Sequence, residues 1–77
     1  MLKRFAIVPQ PRSWDVRHND VSFRACAAKR DAIRVALTLG RMQLRLGDEA
    51  EVVLCDSEGA ALACRRFRAD REDARVH

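Results

Sequence analysis

Residues 29–46 read KRDAIRVALTLGRMQLRL, and this segment decides the fold because it has the periodicity of one long amphipathic helix. At about 100° per residue, four arginines fall on one edge about 60° wide, with Thr38 and Asp31 beside them. These arginines are Arg30, Arg34, Arg41 and Arg45. The other residues are nearly all apolar and spread over roughly 220°, whereas a helix on one sheet needs a stripe of about 100° or a little more.

The excess apolar surface predicts association with a second protein surface. Five residues suffice to seat the helix on a sheet: Ala32, Ile33, Ala36, Leu39 and Gly40. The predicted association surface is the remainder, with Val35, Met42 and Leu46 on one flank and Leu37 and Leu44 on the other. A two-fold contact of these flanks, or pairing of edge strands, would bury them in a homodimer; a different protein is the other candidate partner. The alternative is that residues 25–28 or the C-terminal segment fold over the flanks.

The arginine edge allows a second interpretation, nucleic-acid binding. At 1.5 Å per residue the four arginines form a stripe about 22 Å long, and such a stripe can follow phosphates. The alternative is a solvated helix face whose arginine stems cover apolar neighbours. With no tyrosine, one tryptophan and three phenylalanines, the chain has few rings for stacking on single-stranded bases. The sequence favours an interaction protein, with nucleic-acid binding as the alternative.

Short β-type segments precede the helix. Phe5–Val8 is aromatic and β-branched and ends at Pro9, and residues 13–17 alternate apolar and polar, so together they predict a first hairpin. Asn19-Asp20 predicts a turn. Residues 21–23 are either a third short strand or the approach to the helix, and the pattern does not decide between them.

A second predicted hairpin follows the helix. Residues 51–55 form a strong strand, Asp56–Gly59 a turn in which glycine takes positive φ, and residues 60–67 a weaker strand. Tight pairing about this turn places Cys55 near Ala60 and carries Cys64 back toward Glu51. That separation leaves the two cysteines out of disulfide range.

These elements predict an α+β fold, a small antiparallel sheet of two β-hairpins in ββαββ order with one amphipathic helix on one face. Residues 1–67 form the single domain and residues 68–77 a charged tail, either a frayed helix or disordered. Ala28 lacks a side chain that could cap the helix, while Gly47 suits its end. Gly40 lies on the sheet-facing side, where close packing is a reason for glycine.

Trp14 alternates with Val16 and is therefore expected to face the helix with Phe5 and Ile7, leaving Ala6 and Val8 on the other face. The other interpretation of the tryptophan is an anchor for a partner. Apolar residues on the outer face of the sheet are a second indication of a buried interface.

The order of these elements, with certain residues inside it, resembles the small bacterial family known as domain of unknown function 2188. The shared motifs are Ile7-Val8-Pro9, Trp14-x-Val16, Ala32-Ile33-x-x-Ala36-x-x-Leu39 and Glu51-Val-Val before an Asp–Gly type turn. The resemblance covers about residues 5–67 and implies the fold and a bacterial origin, but no activity or catalytic residues. The chain departs from the family at Ala28 and Asp31, where a threonine cap and a glutamate are usual, and after Gly59, so the register of the last strand stays open.

The composition indicates a cytoplasmic protein. The net charge of +4 comes from 15 basic and 11 acidic residues, and residues 65–77 hold only half of it, so no single basic arm stands out. The three cysteines have no framework spacing, and the apolar run after Arg4 stops at Pro9, too short for a secretory leader. No stretch approaches the roughly 18 apolar residues of a membrane span. We expect reduced cysteines that act as small buried hydrophobes.

No catalytic pattern is present in the sequence. His18, His77, the cysteines and the serines have no spacing that brings a nucleophile beside a base, and no paired metal-ligand motif occurs. We therefore expect no enzymatic activity, no catalytic, cofactor-binding or metal site, no small-molecule substrate and no membrane association.

Overall fold

A computed structural model describes residues 2–68, in which one helix packs on a five-stranded sheet. In chain order the elements are β1 (Leu2–Pro9), β2 (Trp14–His18), β3 (Val21–Cys26), α1 (Lys29–Arg45), β4 (Glu49–Cys55) and β5 (Ala61–Phe67). The strand order in the sheet is β3-β2-β1-β4-β5. The predicted tail, residues 68–77, lies outside the described residues apart from Arg68.

The sheet is mixed, which corrects the prediction of two hairpins in an antiparallel sheet. β1–β2, β2–β3 and β4–β5 are antiparallel pairs, whereas β1 and β4 are parallel neighbours. The cause is the third strand, since the chain crosses the sheet three times before α1 returns it to the end where β1 begins. The α+β class and the single helix are confirmed, and the order is βββαββ.

Both predicted turns are present. Asn19 and Asp20 have φ of 52° and 67° and form a two-residue loop between the paired residues His18 and Val21, the geometry that suits a twisted hairpin. In the second turn Gly59 has φ of 87°. The Asp56 carboxylate accepts bonds from the backbone N–H groups of residues 58 and 60, each at 2.9 Å, and so stabilises the loop.

The last strand differs in register from the prediction. Cys55 pairs with Ala61, and Cys64 pairs with Val53 instead of Glu51. A register irregularity between Leu54 and Cys55 leaves one extra residue on β5. All three cysteines are free, and Cys64 is exposed, so the expectation of small buried hydrophobes is wrong for Cys64.

The helix begins and ends as the sequence predicts. Ala28 provides no side-chain cap, and Gly47, at φ 91°, follows the C-cap. The N–H of Gly47 donates to Leu44 at 3.1 Å, and the N–H of Asp48 donates to Gln43 at 2.9 Å. These two hydrogen bonds together form the Schellman motif, in which glycine is favoured after the C-cap.

The core lies between α1 and one face of the sheet. Ile7 and Val16 are the largest fully buried side chains, and Phe5 is 2% exposed. Ala32, Ala36 and Gly40 form the buried row of the helix; an added Cβ at Gly40 would lie 2.7 Å from Cε2 of Phe67. Trp14 packs against this core, as predicted.

Candidate functional site

All four arginines of the predicted edge of α1 are exposed to solvent. Among residues 2–68, no ion pair involves any of its four members: Arg30, Arg34, Arg41 and Arg45. α1 holds five basic residues and a single acidic one, Asp31. Its net charge of +4 equals that of the whole chain, so the other 60 residues are neutral as a group. The helix is therefore the most positively charged element, while outside it the +2 of residues 65–77 is balanced by an excess of two acids elsewhere.

The predicted association residues do not form one surface. Val35, Leu37 and Leu44 are half-buried and pack against the core, whereas Met42 and Leu46 are 47% and 72% exposed. α1 packs mainly on the central strands β1 and β4, and the half-buried residues find their partners in the core there. Only Met42 and Leu46 of these five remain open for association.

The face of the sheet opposite α1 is a second candidate, and we call it the open face. It forms a shallow groove of about 410 Å³ whose lining includes Ala6 and Val8 of β1 and Val53 and Cys55 of β4. No helix or strand in the described part of the chain covers it. Val53 and Cys55 are each only 9% exposed and Ala6 and Val8 are half-buried, so the open face is an apolar groove with modest solvent exposure.

A charged row crosses one end of the open face. Arg4, Glu51 and Arg66 pair side by side on β1, β4 and β5. Nε of Arg4 donates to Oε1 of Glu51 at 2.9 Å, and Nε of Arg66 lies 3.6 Å from Oε2. The Cys64 thiol donates to the same Oε2 at 3.2 Å. The hydrogen bonds from Cys64 and Arg4 lower the pKa of Glu51, and the bond to Glu51 raises the pKa of the Cys64 thiol.

A smaller polar group lies on β2 and β3, beside Ala6 and Val8 and away from the charged row. Nε of Arg17 donates to Asp15 at 3.1 Å, and the hydroxyl of Ser22 donates to the other oxygen of that carboxylate at 3.1 Å. Because acids and arginines neutralise one another here, the open face has no strong preference for an anionic ligand. It offers apolar contacts with a polar border.

Two residues considered for catalysis, His18 and Cys64, are held in packing and hydrogen-bond contacts within the fold. His18 stacks on Phe5 with ring centroids 4.9 Å apart, and its Nε2 is buried without a hydrogen bond. The raised pKa of Cys64 makes its thiolate scarcer than that of an ordinary cysteine. In residues 2–68 no group of three or more metal-ligating side chains occurs. His77 lies outside the described residues.

Helix periodicity predicted the arginine edge, but no pattern in the sequence predicted the charged row. The row depends on the parallel β1–β4 pairing, which the two-hairpin prediction lacked. Its visible signal was the expected approach of Cys64 to Glu51, which occurs diagonally across β4 and β5. Apolar residues on the outer face of the sheet, notably Val8, were the signal for the open face.

No helix in the described residues is long and apolar enough to cross a membrane. No family model matches the chain. Comparison with the curated proteins and with the solved structures finds no significant match. The resemblance to the domain of unknown function 2188 family therefore stays a prediction.

Proposed function

We propose that this chain is a small non-catalytic interaction protein that self-associates through the open face of its sheet. One observation carries the proposal: the central parallel pair is apolar on both faces, while α1 covers only one. Residues 5–8 of β1 and 52–55 of β4 are continuous apolar runs. Parallel strands with continuous apolar runs are typically covered on both sides. We place the protein in a bacterial cytoplasm, in keeping with its three free thiols.

A second copy suits this surface because the open face is self-complementary in charge. It carries the acids Asp15 and Glu51 together with Arg4, Arg17 and Arg66, and so presents both signs. A two-fold contact sets the same face against itself, so a patch with both signs is able to pair across the axis. The apolar centre then meets the apolar centre of the partner.

The area of the open face determines how strong a dimer we expect. At ~3.3 Å per residue and ~4.8 Å per strand it measures roughly 20 Å by 19 Å. Its projected area is on the order of 400 Å², about half of the ~800 Å² that each partner buries in a standard interface. We therefore expect a weak dimer that forms at tens of micromolar.

Sedimentation equilibrium of the full chain tests the proposal. The protein of 8.8 kDa is expected to approach twice that mass as its concentration rises through tens of micromolar. Val8→Lys places a charge on the open face and is expected to give a monomer, and Val8→Thr, which keeps the volume, is expected to weaken the dimer.

The matched control is Met42→Lys combined with Leu46→Lys, which changes the exposed apolar residues of the helix flank. This variant is expected to dimerise like the wild type. A wild-type monomer throughout this range would contradict self-association. A dimer lost in the helix variant but kept in Val8→Lys would move the interface to the helix flank.

A further inference from the structure

We propose that the exposed arginine edge of α1 is a docking surface for the phosphate backbone of double-stranded DNA. This site is distinct from the open face, since it lies on the side of α1 turned away from the sheet. It does not depend on self-association. Its four members are Arg30, Arg34, Arg41 and Arg45.

Charge is the first argument. The helix carries a net charge of +4, and Asp31 is its single acid. Within residues 2–68 the four guanidinium groups have no carboxylate partner. An evenly solvated surface would carry both signs, as the open face does.

Shape is the second argument, and it favours a duplex. The arginines extend over about 22 Å along the side of α1 turned away from the sheet, and a helix of about 10–12 Å diameter matches the major groove of B-DNA, about 12 Å wide. The major groove of duplex RNA is too narrow for it. Single strands favour several exposed rings, and among residues 2–68 only Phe23 offers one, since Phe5 and Phe67 are buried and Trp14 packs on the core.

The size of the effect follows from counterion release. Four phosphate contacts give a slope of about −3.6 for the logarithm of the binding constant against the logarithm of salt concentration. Affinity for a duplex of about 20 base pairs is then expected to fall roughly 150-fold between 50 and 200 mM salt. Binding carries no expected sequence preference, because phosphate contacts do not read bases.

Fluorescence anisotropy of a labelled 20-base-pair duplex, measured on the full chain at both salt concentrations, tests this. Arg34→Gln with Arg41→Gln is expected to halve the slope, leaving a fall of about 12-fold between the two salts. The pair Arg30→Gln with Arg45→Gln is expected to act in the same way. Two independent pairs keep the test valid if one of them impairs folding.

The matched control is Lys3→Gln with Arg12→Gln, which also removes two positive charges, but outside α1. This variant is expected to keep the wild-type slope. No duplex binding at 50 mM salt would overturn the proposal. So would an equal loss in the control, which would indicate net charge alone. Equal affinity for single-stranded DNA, duplex RNA or polyglutamate would overturn the assignment to a DNA duplex.

Because Val8→Lys lies on the opposite side of the sheet, a monomeric Val8→Lys protein is expected to keep the salt slope of the wild type. A lost dimer with intact DNA binding would separate this proposal from the proposed function. The reverse result, a wild-type protein that dimerises but does not bind the duplex, would refute only the proposed DNA-binding surface.

Discussion

Substitution of Gly40 by alanine tests the packing of α1 on the sheet. The added Cβ would lie 2.7 Å from Cε2 and 2.9 Å from Cδ2 of Phe67, closer than carbon atoms approach without displacement. Phe67 is only 8% exposed, and its ring also has the Arg65 guanidinium 5.2 Å from its centroid. The ring has little free space into which it could move.

Two effects of opposite sign determine the stability of Gly40→Ala. Alanine favours the helix by about 1 kcal/mol over glycine, whereas overpacking of a filled core costs about 1–3 kcal/mol. We expect a net loss of about 1 kcal/mol in the free energy of unfolding. In a domain of this size that corresponds to a melting temperature lower by about 4–8 °C.

In a protein with a smaller side chain at Phe67, the effect of Gly40→Ala on the free energy of unfolding is expected to change sign. Phe67→Leu alone leaves a cavity and destabilises the protein, but it removes the aromatic ring that the new methyl group would meet. In that background Gly40→Ala is expected to stabilise by up to about 1 kcal/mol, which is the helix-propensity gain. The double-mutant cycle should therefore give a coupling of roughly 2 kcal/mol.

Urea denaturation followed by circular dichroism at 222 nm measures all four proteins, at a low concentration that keeps self-association from contributing. The reasoning fails if Gly40→Ala stabilises the wild type by the same amount as it stabilises Phe67→Leu. Equal effects in both backgrounds would mean that the helix and β5 do not approach as closely as the structure shows.

Three further substitutions probe the turns and the charged row. Gly47→Ala should cost about 1 kcal/mol by backbone strain alone, since φ is 91° and no atom lies within 4 Å of the added Cβ; a neutral result in urea denaturation would contradict the Schellman ending. Asp56→Ala should cost about 1 kcal/mol through the loss of two bonds to backbone N–H groups, with Ser57→Ala as a neutral control in the same turn. The lowered pKa of Glu51 contributes stability that is present above the ordinary carboxyl value of about 4.3 and is lost as pH falls through the lowered value, so acid titration of Glu51→Gln should show a flatter profile below that pH; a profile as steep as that of the wild type would remove Glu51 as the cause.

The local elements of this fold could be predicted from sequence, and the sheet direction could not. Helix periodicity, Gly47 and the turn residues act over a few neighbours, so the pattern contains their cause. The direction of β4 depends instead on residues 21–26, because an odd number of strands before the helix makes β4 parallel to β1. In β3 the register shift at Phe23 breaks the alternation, and both Val21 and Phe23 are exposed, so periodicity gives no clear strand there.

Of the candidate surfaces, the arginine edge could be predicted from sequence and the charged row could not. Exposure of the helix arginines follows from 100° per residue once one side of α1 packs on the sheet. The row formed by Arg4, Glu51 and Arg66 joins three strands, and Arg4 and Glu51 are 47 positions apart in the chain, so only the complete strand order brings the row together. Sequence reasoning on single elements has no access to such a row.

The apolar arc of α1, about 220° wide, supported association when only a two-hairpin sheet was in view. In the structure Val35, Leu37 and Leu44 pack against the core, and Leu37 lies beside Val52 and Leu54 of β4. The surface that lacks a second layer is therefore the other face of β1 and β4, over Val8 and Val53, which no helix or strand in residues 2–68 covers. A second copy on that face would leave both helices on the outside of the dimer, with their arginines still exposed. Self-association and DNA docking would then use opposite sides of the molecule and would not compete.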